Sequence, residues 1–273
     1  ELLRIVEFQQ GIDHGYGTYT GTANTELYQD DPDTPQPSGH NPFGLWIDWP
    51  STGTLNASQV LLRFGNLIGT NLGQIPSGAA IVSAELTLRV YDGGDGSPLY
   101  RMLIPWDPAT ATWDSLVDGV QTNDIEACST FDSQFGVADG SGATGTGFIT
   151  FNVHPDIQAW ANGSTNCGWV MPGWPSCTDG TCFRSCLVDD PAERPRLRVL
   201  WLPAGTPCAS FRQGVNGYTN AFDTRIRQNA SDTTASTLTG MFMDGAVSGT
   251  ADPEEVLLRF DNILGRAASQ VPP

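Results

Sequence analysis

The stretch VLLRFGNLIG, beginning at Val60, returns as VLLRFDNILG at Val256. A chain that starts one module twice must fold both starts by the same rules, so self-similarity outranks every local propensity. Further matches hold the alignment. FQQG at Phe8 returns as FRQG at Phe211, NTEL at Asn24 as DTRI at Asp223, and LWID at Leu45 as MFMD at Met241. Gln74-Ile75-Pro76 returns as Gln270-Val271-Pro272. The spacing between partners is 203 at Phe8 and 196 at Val60, which points to one seven-residue insertion in the first copy, around DDPDTPQPSG. The expected organisation is an N-terminal extended segment over 1–6 and a complete domain over 7–203. Residues 204–273 hold the end of the linker LPAGTP and then, from near Cys208, the first third of a second domain.

What each copy becomes is read from its periodicity. SAELTLRVY from Ser83 alternates strictly, with Ala84, Leu86, Leu88 and Val90 on one face and Ser83, Glu85, Thr87 and Arg89 on the other. That is the signature of a half-buried antiparallel strand. RLRVLW from Arg196 alternates likewise and predicts Leu197, Val199 and Trp201 facing inward. GFITFNV from Gly147 and CGWVM from Cys167 fit the same pattern, with loops such as DGGDGSP and ADGSGATGTG between strands. One short helix is predicted at PDIQAWANG, opened by Pro155 and ended by Gly163. With 31 Gly and 19 Pro to punctuate it, the chain reads as all-β, an antiparallel two-sheet sandwich followed by a partial second one.

Charge narrows the function. The net charge of −17 argues against nucleic acid and, less strongly, against an anionic polysaccharide. All 13 basic residues are Arg. Without Lys there is no P-loop lysine, no Schiff base and no Lys–Asn isopeptide crosslink. No stretch approaches a membrane span. The chain opens on Glu1 with neither an initiator Met nor a signal peptide, which predicts a processed or excised N-terminus.

Six cysteines in a loop-rich acidic chain favour disulfides and an oxidising compartment. The rival is a zinc site at Cys177, Cys182 and Cys186, but zinc ribbons prefer two-residue gaps and the gaps here are four and three. NCGWVMP and TCFRSCLV read as a hairpin. Its pairing sets Cys167 opposite Cys186, closes the turn with Cys177 and Cys182, and leaves Cys128 for Cys208. Sequons at Asn56, Asn162 and Asn229 are candidate glycosylation sites.

The order LLRF, IPSGAAIVSAELTLRV, ATATWDS, FNVHPDIQAWANG, NCGWVM, RPRLRVLW resembles the DNRLRE-type domain, which is similar to a carbohydrate-binding module family known for alginate binding. The resemblance runs through nearly all of 7–203 and the available part of the second copy. It implies an extracellular jelly-roll-like β-sandwich, often in tandem, on secreted enzymes and large surface proteins, with no shared catalytic residues. This chain departs from the pattern at His154, where members commonly have Thr, and in its number of cysteines.

No catalytic motif competes with that reading. The three histidines, His14, His40 and His154, have no i+4 metal partner, and there is no G-x-S-x-G or H-E-x-x-H sequence. Carboxylates are plentiful, but their spacing singles out no acid–base pair. No cofactor is expected beyond a candidate structural calcium at Asp30, Asp31 and Asp33. Asp92 and Asp95 in DGGDG read instead as tight-hairpin chemistry between two strands. Of eight Trp, five (Trp46, Trp113, Trp160, Trp169 and Trp201) sit in strand, helix or motif positions and read as core. Trp49, Trp106 and Trp174 sit in Pro-flanked loops and are the candidates for stacking on sugars.

The broken repeat carries the leading functional expectation. A partial sandwich leaves an apolar face and strand edges open, so something must cover it. It could be part of a longer tandem array, pack on the first domain, or be completed by a neighbouring subunit. ELLRIVE suits strand donation: Leu3 and Ile5 alternate with Leu2, Arg4 and Val6, ahead of the first motif. Head-to-tail copies joined this way build a filament. The sequence therefore predicts a non-catalytic extracellular or cell-surface filament subunit whose partners are copies of itself. The second expectation is a carbohydrate-binding module pair of a secreted or adhesive protein. The binding reading needs a cleft with exposed aromatics, and the filament reading needs a free donor strand and an incomplete acceptor.

Overall fold

The computed structural model describes residues 3–50, 56–136, 145–175, 179–206, 211, 213, 218–228 and 253–264. The chain divides into two compact units, Glu1–Thr206 and Pro207–Pro273. In the first, β1 (Arg4–Gln9), β2 (Thr22–Tyr28), β3 (Leu45–Ile47), β4 (Ser58–Phe64), β5 (Ala80–Asp92) and β6 (Gly96–Arg101) come first. Then follow β7 (Ser133–Gly136), β8 (Gly147–Asn152), α1 (His154–Ala161), β9 (Trp169–Pro172), β10 (Thr181–Phe183) and β11 (Arg196–Leu202). They form two antiparallel sheets. One runs β1-β11-β5-β10-β3, with β8 also paired to β5; the other runs β2-β4-β9-β6-β7.

The alternation expected of β5 is what packs the sheets together. Ala84, Leu86, Leu88 and Val90 are buried between them, against Val60, Leu62 and Phe64 of β4, Trp169 and Met171 of β9, and Leu197 and Val199 of β11. Trp201 is half-buried against the same core. The helix α1 begins where Pro155 allows and stops before Gly163, whose φ of 103° only glycine adopts freely. Residues on the opposite face of the second sheet are buried too. Leu27, Leu61 and Val170 lie under a segment carrying Met102, Trp106, Trp113, Leu116, Val120 and Ala127.

Three expectations are corrected by this topology. The segment Arg4–Val6 is no free donor. It is part of edge strand β1, paired antiparallel with β11 from Arg4 opposite Trp201 to Gln9 opposite Arg196. Val6 and Phe8 are buried in the module's own core, while Leu3, Arg4 and Ile5 are exposed; Leu2 lies outside the described residues. The reason is that Val6 and Phe8 share the inward face, which holds the whole strand in register. Second, no hairpin joins 167–172 to 181–186. β9 pairs with β4 and β6, whereas β10 pairs with β5 and β3 in the other sheet. Third, DGGDG makes no hairpin either, since it links β5 of one sheet to β6 of the other.

The second unit holds β12 (Ala221–Arg227) and β13 (Glu254–Phe260) as a two-stranded antiparallel sheet. Ala221 opposite Phe260 repeats Thr22 opposite Phe64. Identical side-chain devices flank the two strand pairs. Thr22 N donates to Gln10 Oε1 at 3.1 Å, and Ala221 N donates to Gln213 Oε1 at 3.1 Å. Asn66 and Asn262 follow the strands at φ 55° and 56°. This register corrects the single insertion. Thr22 and Ala221 are 199 apart, so four extra residues precede β2 and three lie between β2 and β3.

Candidate functional site

A cleft of about 380 Å³ opens on the outer face of the second sheet. Its floor follows from alternation: Gln59 of β4, Pro98 and Tyr100 of β6 and Pro172 of β9 point away from the main core. One wall is Asp48, Trp49 and Pro50, just after β3; the other is the segment from Trp113 to Thr122. Trp49 is 38% exposed. Its backbone lies so close to Gly173 that a Cβ there would meet Trp49 N at 2.7 Å, so only glycine lets the two segments touch.

The far wall is pinned to the sheet by a reciprocal pair. Gln59 Nε2 donates to Val120 O at 3.3 Å, and Val120 N donates to Gln59 Oε1 at 2.8 Å. Thr112 and Ser115 cap each other's backbone around a short turn of helix. The chain then passes through three left-handed residues: Val117 at φ 53°, Asp118 at 63° and Gly119 at 77°. A β-branched residue in that region is strained, and strain of this kind collects at functional sites. The cleft is polar at Gln29, Asp48, Gln59, Asp118 and Gln121, and none of its described lining residues is basic. Burial, with the negative fields of Asp179 and Asp95, pushes the Asp48 carboxyl above its ordinary range.

Of the three loop tryptophans, only Trp49 is available to a ligand. Trp106 is buried, donates Nε1–H to Cys167 O at 2.8 Å and lies 5.2 Å beneath the Arg63 guanidinium. Trp174 is buried, donates to Phe135 O at 3.4 Å and meets Phe131 edge-on. Both hold down segments that cross the sheet. A flanking proline marks a loop, but it does not separate an exposed platform from a buried lid. Trp113 is buried as the sequence predicts, with one face on the cleft, and Tyr100, which the sequence reading passed over, lines the cleft beside it. Alternation along β6, which puts Tyr100 on the face opposite Leu99, is the signal that was available.

The remaining candidates separate. Asp31 is spent on its own turn, accepting from Thr34 Oγ1 at 2.7 Å and Gln36 Nε2 at 3.1 Å. Asp30, Asp31 and Asp33 form no metal-binding group, and no such group of His, Cys, Asp or Glu occurs among the described residues. Cys128, Cys167, Cys182 and Cys186 are free thiols, so Cys167 and Cys186 are not bridged. Cys167 lies under Trp106, while Cys186 N donates to Asn24 Oδ1 at 2.7 Å. Burial pushes the thiols of Cys182 and Cys186 up to about 12 and about 11 and raises that of Cys167. Cys177 and Cys208, the expected partners of Cys182 and Cys128, lie outside the described residues. Asn162 is exposed at the end of α1, Asn56 is half-buried, and Asn229 lies outside the described residues.

A buried carboxyl stands apart from the cleft. Asp156, in the first turn of α1, accepts from Trp169 Nε1 at 2.7 Å and has Arg101 Nε 3.7 Å from its other oxygen. Burial first, and then the neighbouring Asp132, raise it far above the usual aspartate range, so the pair holds a proton near neutral pH.

No known protein-family model matches this chain, and a search of curated proteins finds no relative. Among the described residues no helix is long and apolar enough to cross a membrane.

Proposed function

We propose that the first unit is a non-catalytic glycan-binding module of an extracellular or cell-surface protein, and that its cleft takes a neutral polysaccharide. The observation that carries this is Trp49, a half-exposed indole on a fixed backbone at the mouth of a polar, aromatic-lined cleft. Sugar rings present an apolar C–H face and a rim of hydroxyls. An indole takes the first, and Gln59, Gln121 and Asp48 suit the second. The acidic cleft and the net charge of −17 oppose uronates such as alginate. The resemblance to the DNRLRE type supports a polysaccharide ligand, while the acidic cleft sets this chain apart from the alginate binding known in the similar family.

The test is binding of the full chain to immobilised cellulose, xylan, mannan and β-1,3-glucan, with alginate and polygalacturonate beside them. Retention on a neutral polymer that Trp49→Ala abolishes is the expected result. Retention on the uronates alone, or on nothing, rejects the reading.

A second reading, assembly of copies into a filament, has one observation in its favour. Positions buried in the first unit are open in the second: Leu62 is 1% exposed and its counterpart Leu258 68%, Phe64 0% and Phe260 46%. In the first unit β9 borders β4 and the second sheet's two faces are both covered. Among the described residues β13 pairs with β12 alone, and a strand like β9, supplied to its other edge, would complete the pattern of the first unit. With β1 built into its own module, the donor is not ELLRIVE. Electron microscopy of the purified protein separates filaments, which support assembly, from discrete monomers, which reject it.

A further inference from the structure

Glu26 of β2 is fully buried at the rim of the sandwich, where β2 and β3 are edge strands of opposite sheets. Its Oε2 accepts from the backbone N of Trp46, the middle residue of β3, at 2.9 Å, and so ties one sheet's edge to the other's. Its Oε1 meets His40 Nδ1 at 2.5 Å, and His40 stacks on Tyr28 with ring centroids 4.1 Å apart. The repeat supplies an internal control. Arg225 of β12 stands where β2 has Glu26, each opposite a valine, Val256 in β13 and Val60 in β4. Arg225 Nη1 donates to Glu254 Oε2 at 3.2 Å. The strand pair forms with either residue, so its register does not demand Glu26. All three histidines lie in the first copy, and His40 is in the β2–β3 loop that carries the extra residues. From Trp46 the tie reaches the cleft within three residues. Asp48 exchanges backbone hydrogen bonds with Ser58 at 3.0 and 3.1 Å, and Trp49 follows.

We infer that His40 and Glu26 are positioning residues for the cleft: protonated His40 holds Glu26, Glu26 holds β3 through Trp46 N, and loss of the proton slackens the Trp49 wall. The inference rests on the glycan-binding reading for its purpose. The imidazolium gives the buried carboxylate a counter-charge. The neutral ring leaves it a hydrogen bond but no charge, and an uncompensated buried anion is costly. The His40 side chain is 27% exposed, so solvent protons reach it while Glu26 is sealed. The titratable and charged groups around the pair are Tyr28 of β2 with Asp30 and Asp31 beyond it, Asp48 after β3, and Cys182 and Arg184 on the β10 side. The hydrogen bond to Glu26 raises the imidazole above its ordinary value, burial opposes the rise, and the charges of Glu26 and Asp48 add to it. The tie is therefore fully present below the ordinary histidine range and is lost as pH rises through the raised value.

The test follows the full ¹⁵N-labelled chain without ligand from about pH 5 to about pH 9, reading the His40 ring, the Trp46 backbone amide and the Trp49 indole N–H. The expected result is one step shared by all three, with a midpoint above 6.5. His40→Gln keeps a donor but takes no charge, and should abolish the step at Trp46 and Trp49. A Trp49 indole that stays flat while His40 titrates, or that titrates unchanged in His40→Gln, overturns the inference, as does a His40 midpoint at or below 6.5. If His40→Gln does not fold, the shared step in the natural chain decides, with His14→Gln, which should keep it, as the control. Polysaccharide retention is read separately. It should fall as pH rises through the His40 midpoint in the natural chain and stay level in His40→Gln; retention that is level across the midpoint in the natural chain overturns the positioning role. A Trp49 step that follows His40 in a chain retained by no polymer supports the positioning and rejects the glycan reading alone.

Discussion

Tyr19 and Tyr218 hold one position in two copies of one module. Each phenol donates at 2.8 Å to the carbonyl just past the strand's last phenylalanine, Gly65 O for Tyr19 and Asp261 O for Tyr218. Each ring meets an earlier phenylalanine edge-on at 5.2 Å, Phe8 or Phe211. Each stacks on the strand's last phenylalanine, Phe64 at 6.3 Å or Phe260 at 6.5 Å. The second unit therefore builds the corner of the module faithfully, and what differs is the exposure of its strand pair.

That difference predicts unequal costs for equal substitutions. Leu62→Ala opens a hole in a sealed core and should cost about 2–5 kcal/mol. Leu258→Ala, on an exposed strand, should stay within about 0.5 kcal/mol. Chemical denaturation of both variants checks this. Equal losses would mean that β13 is covered.

Trp106→Phe should lower stability without changing glycan retention, because its indole N–H serves Cys167 O inside the lid. Gly173→Ala should lower stability and weaken retention together, since its methyl would displace the backbone at Trp49. Thermal melts and retention measured on both variants separate the lid from the platform.

Asp156 gives the fold a pH dependence of definite sign. Its carboxyl is raised in the folded state by burial and by Asp132, so the native protein binds the proton more tightly than the unfolded chain does. Its contribution is fully present below the ordinary aspartate range and is lost as pH rises through about 7. Arg101 opposes the shift and Trp169 Nε1–H lowers it, but burial dominates. Asp156→Asn keeps the bond from Trp169 and should flatten the fall in stability between pH 4 and 7, as read by denaturant midpoints.

Cys167, Cys182 and Cys186 should resist alkylation in the native protein at neutral pH, because burial holds their thiols protonated. Iodoacetamide labelling before and after unfolding, read by mass spectrometry, checks it. A disulfide-linked Cys167–Cys186 peptide would contradict the separate environments described above.

Much of this fold was legible in the sequence because period-two alternation reports burial directly. Ala84, Leu86, Leu88 and Val90 go inward as their spacing demands, and Pro155 and Gly163 bound the helix. What was not legible is which strands neighbour each other. The Cys167 and Cys186 segments are close in sequence, yet they enter opposite sheets, because pairing is decided by long-range partners such as Leu61 and Val90. The same limit hid the cleft. Trp49, Tyr100 and Gln121 are far apart in sequence, and only the sheet order brings them together. ELLRIVE looked free because its partner, β11, lies at the far end of the module.

The most direct test of glycan binding through the Trp49 cleft is a ¹⁵N shift map of the full chain. It would be titrated with soluble oligosaccharide from whichever neutral polymer retains it. The account predicts the largest shifts at the Trp49 indole N–H and the side-chain amides of Gln59 and Gln121. It also predicts that Trp49→Ala lowers affinity at least about tenfold, as loss of a central aromatic contact does. Shifts centred elsewhere, or full affinity in Trp49→Ala, would contradict it.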